Sequence, residues 1–267
     1  MVALIFTFFV NMIIDTHTHL YLNDFAGDID EVIKRALDEG VEKFYLPSID
    51  STETENIFSL EKKYPDKCFA MMGLHPCSVK ENYKEELEIV YKWLQKRKFA
   101  AIGEIGLDFY WDKTFTPQQY QSFHQQIEWA LQFDLPVVLH TREAVQQSID
   151  VLKKYENKNL RGIFHCFSGT LQNALDIIDT GFYLGIGGVI TYKNSGLAEV
   201  IKEIGIKNIV LETDAPYLTP VPFRGKRNES SYLKYIVQKI AEIKSISVEE
   251  VAIITTQNAE NIFTFQI

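Results

Sequence analysis

The sequence predicts an α/β protein folded as a single (β/α)8 barrel of the TIM type, with an extra C-terminal helix. Three observations carry that expectation. Eight short runs rich in β-branched and aromatic residues alternate with segments of helical hydrophobic spacing, the pattern of right-handed crossovers between parallel strands. The 267 residues, 46% of them hydrophobic, suffice for one large core, and no linker, low-complexity tract or internal repeat divides them. No glycine-rich dinucleotide turn follows the first strand, which disfavours the open doubly wound sheet that the same alternation could build.

The first strand is the apolar entry to Met-Ile-Ile-Asp-Thr-His-Thr-His-Leu, residues 12–20. A helix over 28–39 follows, with Ile29, Val32, Ile33, Ala36 and Leu37 at helical spacing and Gly40 as its stop, and then a strand over 41–47. The unit recurs as helix 52–64 with strand 68–74, helix 84–96 with strand 99–104, and helix 117–133 with strand 136–140. Helix 143–155 precedes strand 162–165, helix 171–179 precedes strand 182–187, and helix 197–204 precedes strand 208–212. A proline-rich loop over 216–222 leads to a helix over 231–243 and a last one over 248–262. The barrel domain is therefore assigned to 12–267. Residues 1–11 are apolar but lack a basic start and a small-residue cleavage site, and they fall short of the roughly 20 residues that cross a bilayer. They are expected to be an N-terminal extension, with Met12 as an alternative start, and no membrane span is expected.

A formal net charge of −9 provides no global basic field, so a polyanionic substrate must be held by local cations or metal ions. Cys68, Cys77 and Cys166 are odd in number and show no paired metal spacing, which argues against a disulfide framework and for a reducing compartment, by default the cytoplasm. A monomer or weak oligomer is the expected state.

In such a barrel the C-terminal strand ends form the rim that carries the chemistry. His17 and His19 leave the first run two residues apart and so face one way on an extended chain. Glu104 ends the fourth run, His140 the fifth and His165 the sixth, with His75 just past the third and Asp214 just past the eighth. Five of the six histidines thus fall at expected strand ends, a clustering that points to metal ligation. The sixth, His124, sits on an amphipathic helix beside Tyr120, Phe123 and Ile127, as a surface or satisfied core residue would.

Four imidazoles and two carboxylates exceed the about three protein ligands of one open tetrahedral ion, so two divalent ions are implied. The natural division places His17, His19 and Asp214 on one, His140 and His165 on the other, and Glu104 between them. Ions about 3.5–4 Å apart suit hydrolysis at phosphorus or at a carbonyl carbon, because they activate water and stabilise the developing oxyanion. Glu104 and Asp214 are the catalytic candidates, Asp214 also as general base. Nitrogen-rich ligation favours zinc or manganese, whereas nucleases often use magnesium, so Mg, Mn and Zn all stay open.

The segments IIDTHTHL, GLHP, IGEIGLD, VVLHTRE, FHCFSGT, LETDAPYL and RGKRNES, in this order and spacing, resemble the TatD family of metal-dependent deoxyribonucleases within the amidohydrolase superfamily. The match runs from Met12 to the region 258–263. The resemblance implies a TIM barrel and a two-metal site of His17, His19, Glu104, His140, His165 and Asp214 in a nuclease that trims DNA, with RNA also open as substrate. Some members lack the first His pair; this chain keeps it. The family's association with removal of D-amino acids from tRNA implies an aminoacyl ester as the alternative substrate.

Arg142, two residues after His140, can hold a phosphate bidentately or pair with Glu143 or Asp108. His75 can hydrogen-bond a phosphate oxygen or leaving group, or cap local structure. Arg224, Lys226 and Arg227 form either an electrostatic funnel for a nucleic-acid backbone or an internal pair at Arg224 with two solvated cations. Tyr110 and Trp111 can stack on a base or pack their loop. Gly185, Gly187 and Gly188 either open the mouth of strand seven or allow close helix packing. Cys166, alternating from His165, is expected to face the helix layer and not to act as a nucleophile. The leading expectation is a two-metal phosphodiesterase working from an end of single-stranded nucleic acid. Its rivals are a hydrolase of an amide, lactone or D-aminoacyl-tRNA ester, a one-ion deaminase with no use for Glu104, and a metal-bearing binding module without turnover.

Overall fold

The computed structural model describes residues 12–263, so the extension expected over 1–11 lies outside the described residues. Strands β1 (Ile13–Asp15), β2 (Val41–Leu46) and β3 (Cys68–Ala70) pair in parallel in chain order. So do β4 (Ile102–Asp108), β5 (Val137–Arg142), β6 (Gly162–Phe164), β7 (Tyr183–Ile186) and β8 (Ile209–Leu211). Backbone hydrogen bonds cross both seams. Ala100 and Gly103 donate to Ala70 and Met72 between the third and fourth strands, and Thr16 donates to the Leu211 carbonyl (2.9 Å) between the eighth and the first. The eight strands thus run in one order around the ring, each followed by a helix: α1 (Ile29–Asp38), α2 (Thr54–Lys63), α3 (Tyr83–Lys96), α4 (Thr116–Phe133), α5 (Val145–Leu152), α6 (Leu171–Asp179), α7 (Leu197–Glu203) and α8 (Leu233–Lys244). The extra helix is α9 (Val248–Ile262).

Strand alternation splits the apolar residues into two buried sets. Ile14, Tyr45, Met71, Val138, Ile163 and Val210 form a small cluster inside the ring. Their chain neighbours, such as Ile13, Phe44, Leu139, Phe164 and Leu211, join the larger core shared with the helices. Each such side chain fully buried contributes about 1.5–3 kcal/mol. Helix α9 closes the inner cluster from the N-terminal side of the strands. Its Ala259 and Ile262 and the following Phe263 enter that cluster, and Phe263 stacks on Tyr45 at 3.8 Å. Asn258 donates to the Ile206 and Ile209 carbonyls, and Thr256 donates to that of Met12. Polar side chains on the inner face are therefore left to the opposite, C-terminal mouth.

Of the boundaries that differ from expectation, two bear on the site. The β1 ladder ends at Asp15, before His17 and His19. Strand β4 runs on to Asp108, so Glu104 lies within a fully buried strand and not at its tip. Among the described residues no helix is long and apolar enough to cross a membrane.

Candidate metal centre

His17 and His19 lie beyond the sheet, yet they are fixed because Asp15 ties the first strand's end to the segment after β8. Its buried carboxylate accepts hydrogen bonds from Thr213 N–H (2.9 Å), Thr213 Oγ1–H (2.6 Å) and Ser230 Oγ–H (2.6 Å). Burial pushes the Asp15 carboxyl up to about 7 even though these donors oppose the shift. Asp214 N–H donates to the His17 carbonyl (2.9 Å) and His19 N–H to that of Ala215 (2.8 Å), which sets the two segments side by side. Asp214 itself adopts φ 56°, turning its side chain out of the line of β8.

Glu104 divides the centre. Its Oε2 lies 3.2 Å from His17 Nε2 and 3.9 Å from His19 Nε2, while its Oε1 lies 2.7 Å from His140 Nδ1, 3.3 Å from His75 Nε2 and 3.9 Å from His165 Nε2. Asp214 Oδ1 faces His19, His17 and His165 at 3.3, 3.7 and 3.8 Å. The His17 and His165 rings stack with centroids 3.4 Å apart. All six expected ligand side chains thus meet at one point of the mouth, over a span of roughly two hundred residues of chain.

The outer nitrogens of His19 and His140 have hydrogen-bond partners that fix which nitrogen faces inward, and that of His165 faces a carboxylate. Tyr21 donates its hydroxyl to the Pro47 carbonyl (2.6 Å) and so accepts from His19 Nδ1–H (2.8 Å), leaving His19 Nε2 as an inward lone pair. Asp108 Oδ2 accepts from His140 Nε2–H (2.8 Å), which turns His140 Nδ1 toward Glu104. Glu212 Oε1 lies 3.1 Å from His165 Nδ1 and accepts the Cys166 N–H (2.6 Å). These three partners escape a search for strand-end ligands. Only Tyr21 lies near its partner in the chain, two residues after His19; Asp108 and Glu212 are far along the chain from His140 and His165, so spacing does not link them.

Burial disfavours the Glu104 charge, but the surrounding imidazoles of His75, His17 and His165 hold its carboxyl well below the usual range. Burial likewise opposes charge on His165, yet Glu212, Glu104 and Asp214 together lift it to about 10. In the neutral rings an inward lone pair set against a carboxylate oxygen repels unless a proton or a metal cation lies between them. That donor set suits divalent cations, and the sets His17–His19–Glu104 and His17–His165–Asp214 each bring their ligand atoms within 4.8 Å of one another.

Other expected contacts divide. His75 both caps and donates: its Nδ1 accepts the Cys77 N–H (3.0 Å), so in the neutral ring, favoured by burial, Nε2 carries the proton and points at Glu104 and His140. Arg142 makes no ion pair among the described residues; its guanidinium rests 4.0 Å from the Tyr110 ring at the rim of a cavity of about 690 Å³ that His140, His165 and Asp214 also line. Arg224 lies 4.0 Å over the Tyr192 ring, again without an ion pair among the described residues. Of the basic cluster it is Arg227, not Arg224, that pairs internally, forking onto Asp28 at 2.8 and 2.6 Å and donating to the Asp24 carbonyl. Cys166 corrects the expectation from alternation. Strand β6 stops at Phe164 and Cys166 takes φ 48°, so it lines the mouth cavity and not the helix layer. Burial and nearby Asp214 and Glu212 push its thiol well above the ordinary range. Gly185 makes room for Glu212, since a Cβ there would meet Glu212 Oε2 and lie 2.8 Å from its Cδ. His124 bonds the Tyr155 hydroxyl (2.8 Å), away from the site.

Residues 14–264 match the family model described as TatD related DNase. A metal-dependent hydrolase of uncharacterised role, YabD from Bacillus subtilis, is 39% identical over 253 residues, covering 94% of this chain and 99% of that protein. A protein from Erwinia tasmaniensis named 3'-5' ssDNA/RNA exonuclease TatD is 34% identical over 255 residues, covering 93% and 98%. The crystal structure of the TatD homologue YjjV from Escherichia coli superposes with a TM-score of 0.90 at 30% identity, covering 96% of this chain and 99% of the other. A family model spanning nearly the whole chain, relatives matched end to end and a shared α/β fold lead to one conclusion: this chain belongs to the TatD-related family of metal-dependent hydrolases.

Proposed function

We propose that this chain is a two-metal phosphodiesterase that removes nucleotides from an end of single-stranded DNA, with RNA as a second substrate to be tested. The observation that carries the reading is the division of Glu104: one oxygen faces His17 and His19, the other His140 and His165, as a carboxylate shared by two ions must. His17, His19 and Asp214 would hold one ion and His140 and His165 the other, Mg, Mn or Zn. When bound, such a pair supplies Lewis-acid polarisation of the phosphoryl group and lowers the pKa of water.

The chain's own groups then have distinct tasks. Glu104, with its side chain 3% exposed, is sealed from solvent and fixes charge at the centre of the site. Asp214, 15% exposed and lining the cavity, can accept the proton of an attacking water and release it to solvent. His75 Nε2–H, fixed by its backbone cap and directed at Glu104 and His140, would donate to a phosphoryl oxygen held at the centre. Arg142 and Arg224 are cations without ion pairs in an acidic chain, and both suit backbone phosphates. The Erwinia relative's name supports the same substrate class. A small neutral substrate would have no need of these two arginines.

The test incubates purified protein with end-labelled single- and double-stranded oligonucleotides under magnesium, manganese or zinc, with chelator and Glu104→Ala as controls. Laddering from one end of the single strand that both controls abolish is expected. Absence of cleavage with every metal, or cleavage that survives both controls, refutes the proposal.

A further inference from the structure

We propose that Tyr110 and Trp111 form a stacking platform for the terminal nucleobase of the strand being cut, which makes the mouth selective for unpaired ends. This deepens the nuclease reading and rests on it. Large aromatics are ordinarily buried, yet Tyr110 is 47% and Trp111 67% exposed, side by side, with rings perpendicular at 4.8 Å. Their exposure does not come from a loose loop. One oxygen of Asp108 accepts both the Tyr110 and the Trp111 N–H at 2.9 Å, and Gln119 accepts the Asp108 N–H at 3.0 Å. Further along, Lys80 pairs with Asp112 at 2.6 Å and the Asp112 carboxylate accepts the Thr114 N–H.

The same Asp108 carboxylate uses its other oxygen to orient His140. The aromatic pair and the metal-facing imidazole are therefore held in register by a single side chain, and Tyr110 lines the cavity that His140, His165 and Asp214 line. Arg142 lines the same cavity, 4.0 Å from the Tyr110 ring and 5.6 Å from that of Trp111. Its guanidinium covers a face of Tyr110 and offers its remaining donors to a phosphate, while the more exposed Trp111 ring is left for a base. The occupant that fits a π-face, a cation and a phosphodiester-cleaving centre together is a nucleotide with an unstacked base. A base inside a duplex is already stacked on both faces and would have to be pulled out at a cost.

The experiment compares kcat/KM for a single-stranded oligothymidylate with that for an equally long oligomer whose terminal nucleotides are abasic at both ends, using wild type, W111A and W111F. Stacking of one base predicts a wild-type preference for the base-bearing strand of about 5- to 150-fold. W111A should bring the ratio close to one, and W111F should keep most of it. Intrinsic fluorescence gives an independent readout: oligothymidylate should quench wild type, and W111F, with only Trp93 and Trp129 left, should lose the quenching. An oligomer that is cut equally well with or without terminal bases by wild type and W111A overturns the platform while leaving the nuclease reading intact. Failure of wild type to cut either oligomer with any metal overturns the nuclease reading, and the platform falls with it.

Discussion

Alanine at Gly185 tests whether the partners behind the histidines tune the centre. Gly185 has no left-handed backbone conformation, so the effect is steric alone. The new Cβ would lie 2.8 Å from Glu212 Cδ and closer still to Oε2, so the carboxylate must retreat by about 0.6 Å at Cδ and by more at Oε2 to reach the 3.4 Å of ordinary contact. Glu212 is fully buried and its Oε1 is held by the Cys166 N–H at 2.6 Å, so it has nowhere to go without disturbing that bond or the 3.1 Å contact with His165. Overpacking of this kind costs about 1–3 kcal/mol. Displacing a partner behind a ligating histidine lowers metal affinity by roughly 10- to 100-fold, or about 1.4–2.7 kcal/mol. Calorimetric titration of zinc or manganese into chelator-treated Gly185→Ala and wild-type protein, beside thermal unfolding in chelator, reads the two effects separately. Weaker metal binding together with lower stability is expected. Wild-type metal affinity in the variant would refute the reasoning, and a stability loss alone would mean that Gly185 only makes room.

Asp214→Asn should lower kcat by about 10²- to 10⁴-fold with circular dichroism unchanged, because the amide cannot take a proton; steady-state kinetics on an oligonucleotide checks this. Arg142→Ala should raise KM for single-stranded DNA and reduce the slope of log affinity against log salt by about 0.7, whereas Arg227→Ala, whose fork is spent on Asp28, should leave that slope as it is. Arg35 donates to both oxygens of Glu229 at 2.9 and 2.6 Å, and Arg35→Ala should cost about 1–3 kcal/mol in denaturant unfolding by leaving that carboxylate without its cation. Burial alone would raise the Glu229 carboxyl, but Arg35 and Ser231 hold it below its ordinary value of 4.5. Its contribution to stability is thus full above pH 4.5 and drains as pH falls through the folded value, and Arg35→Ala should flatten that loss below pH 4.5.

The fold was legible because strand and helix periods alternate eight times without interruption, and the candidate ligands were legible because His, Glu and Asp are conspicuous where apolar runs end. What stayed hidden depends on where the chain turns or what it meets far away. Glu104 reads as a strand end, yet pairing with β5 carries the strand to Asp108, since Asp108 finds partners in His140 and the loop's own N–H groups. Cys166 defeats simple alternation by one left-handed residue. Arg224 and Arg227 look equivalent in sequence, and only Asp28, 199 residues away from Arg227, separates them. Tyr21, Asp108 and Glu212 act through another side chain's second nitrogen, a relation that becomes visible only with the ring orientations.

Anomalous diffraction from crystals soaked in manganese is the most direct measurement of the central claim, that Glu104 lies between two cations. Two peaks are predicted, one on the Oε2 side among His17, His19 and Asp214, the other on the Oε1 side between His140 and His165. A single peak, or none at the mouth, would contradict it.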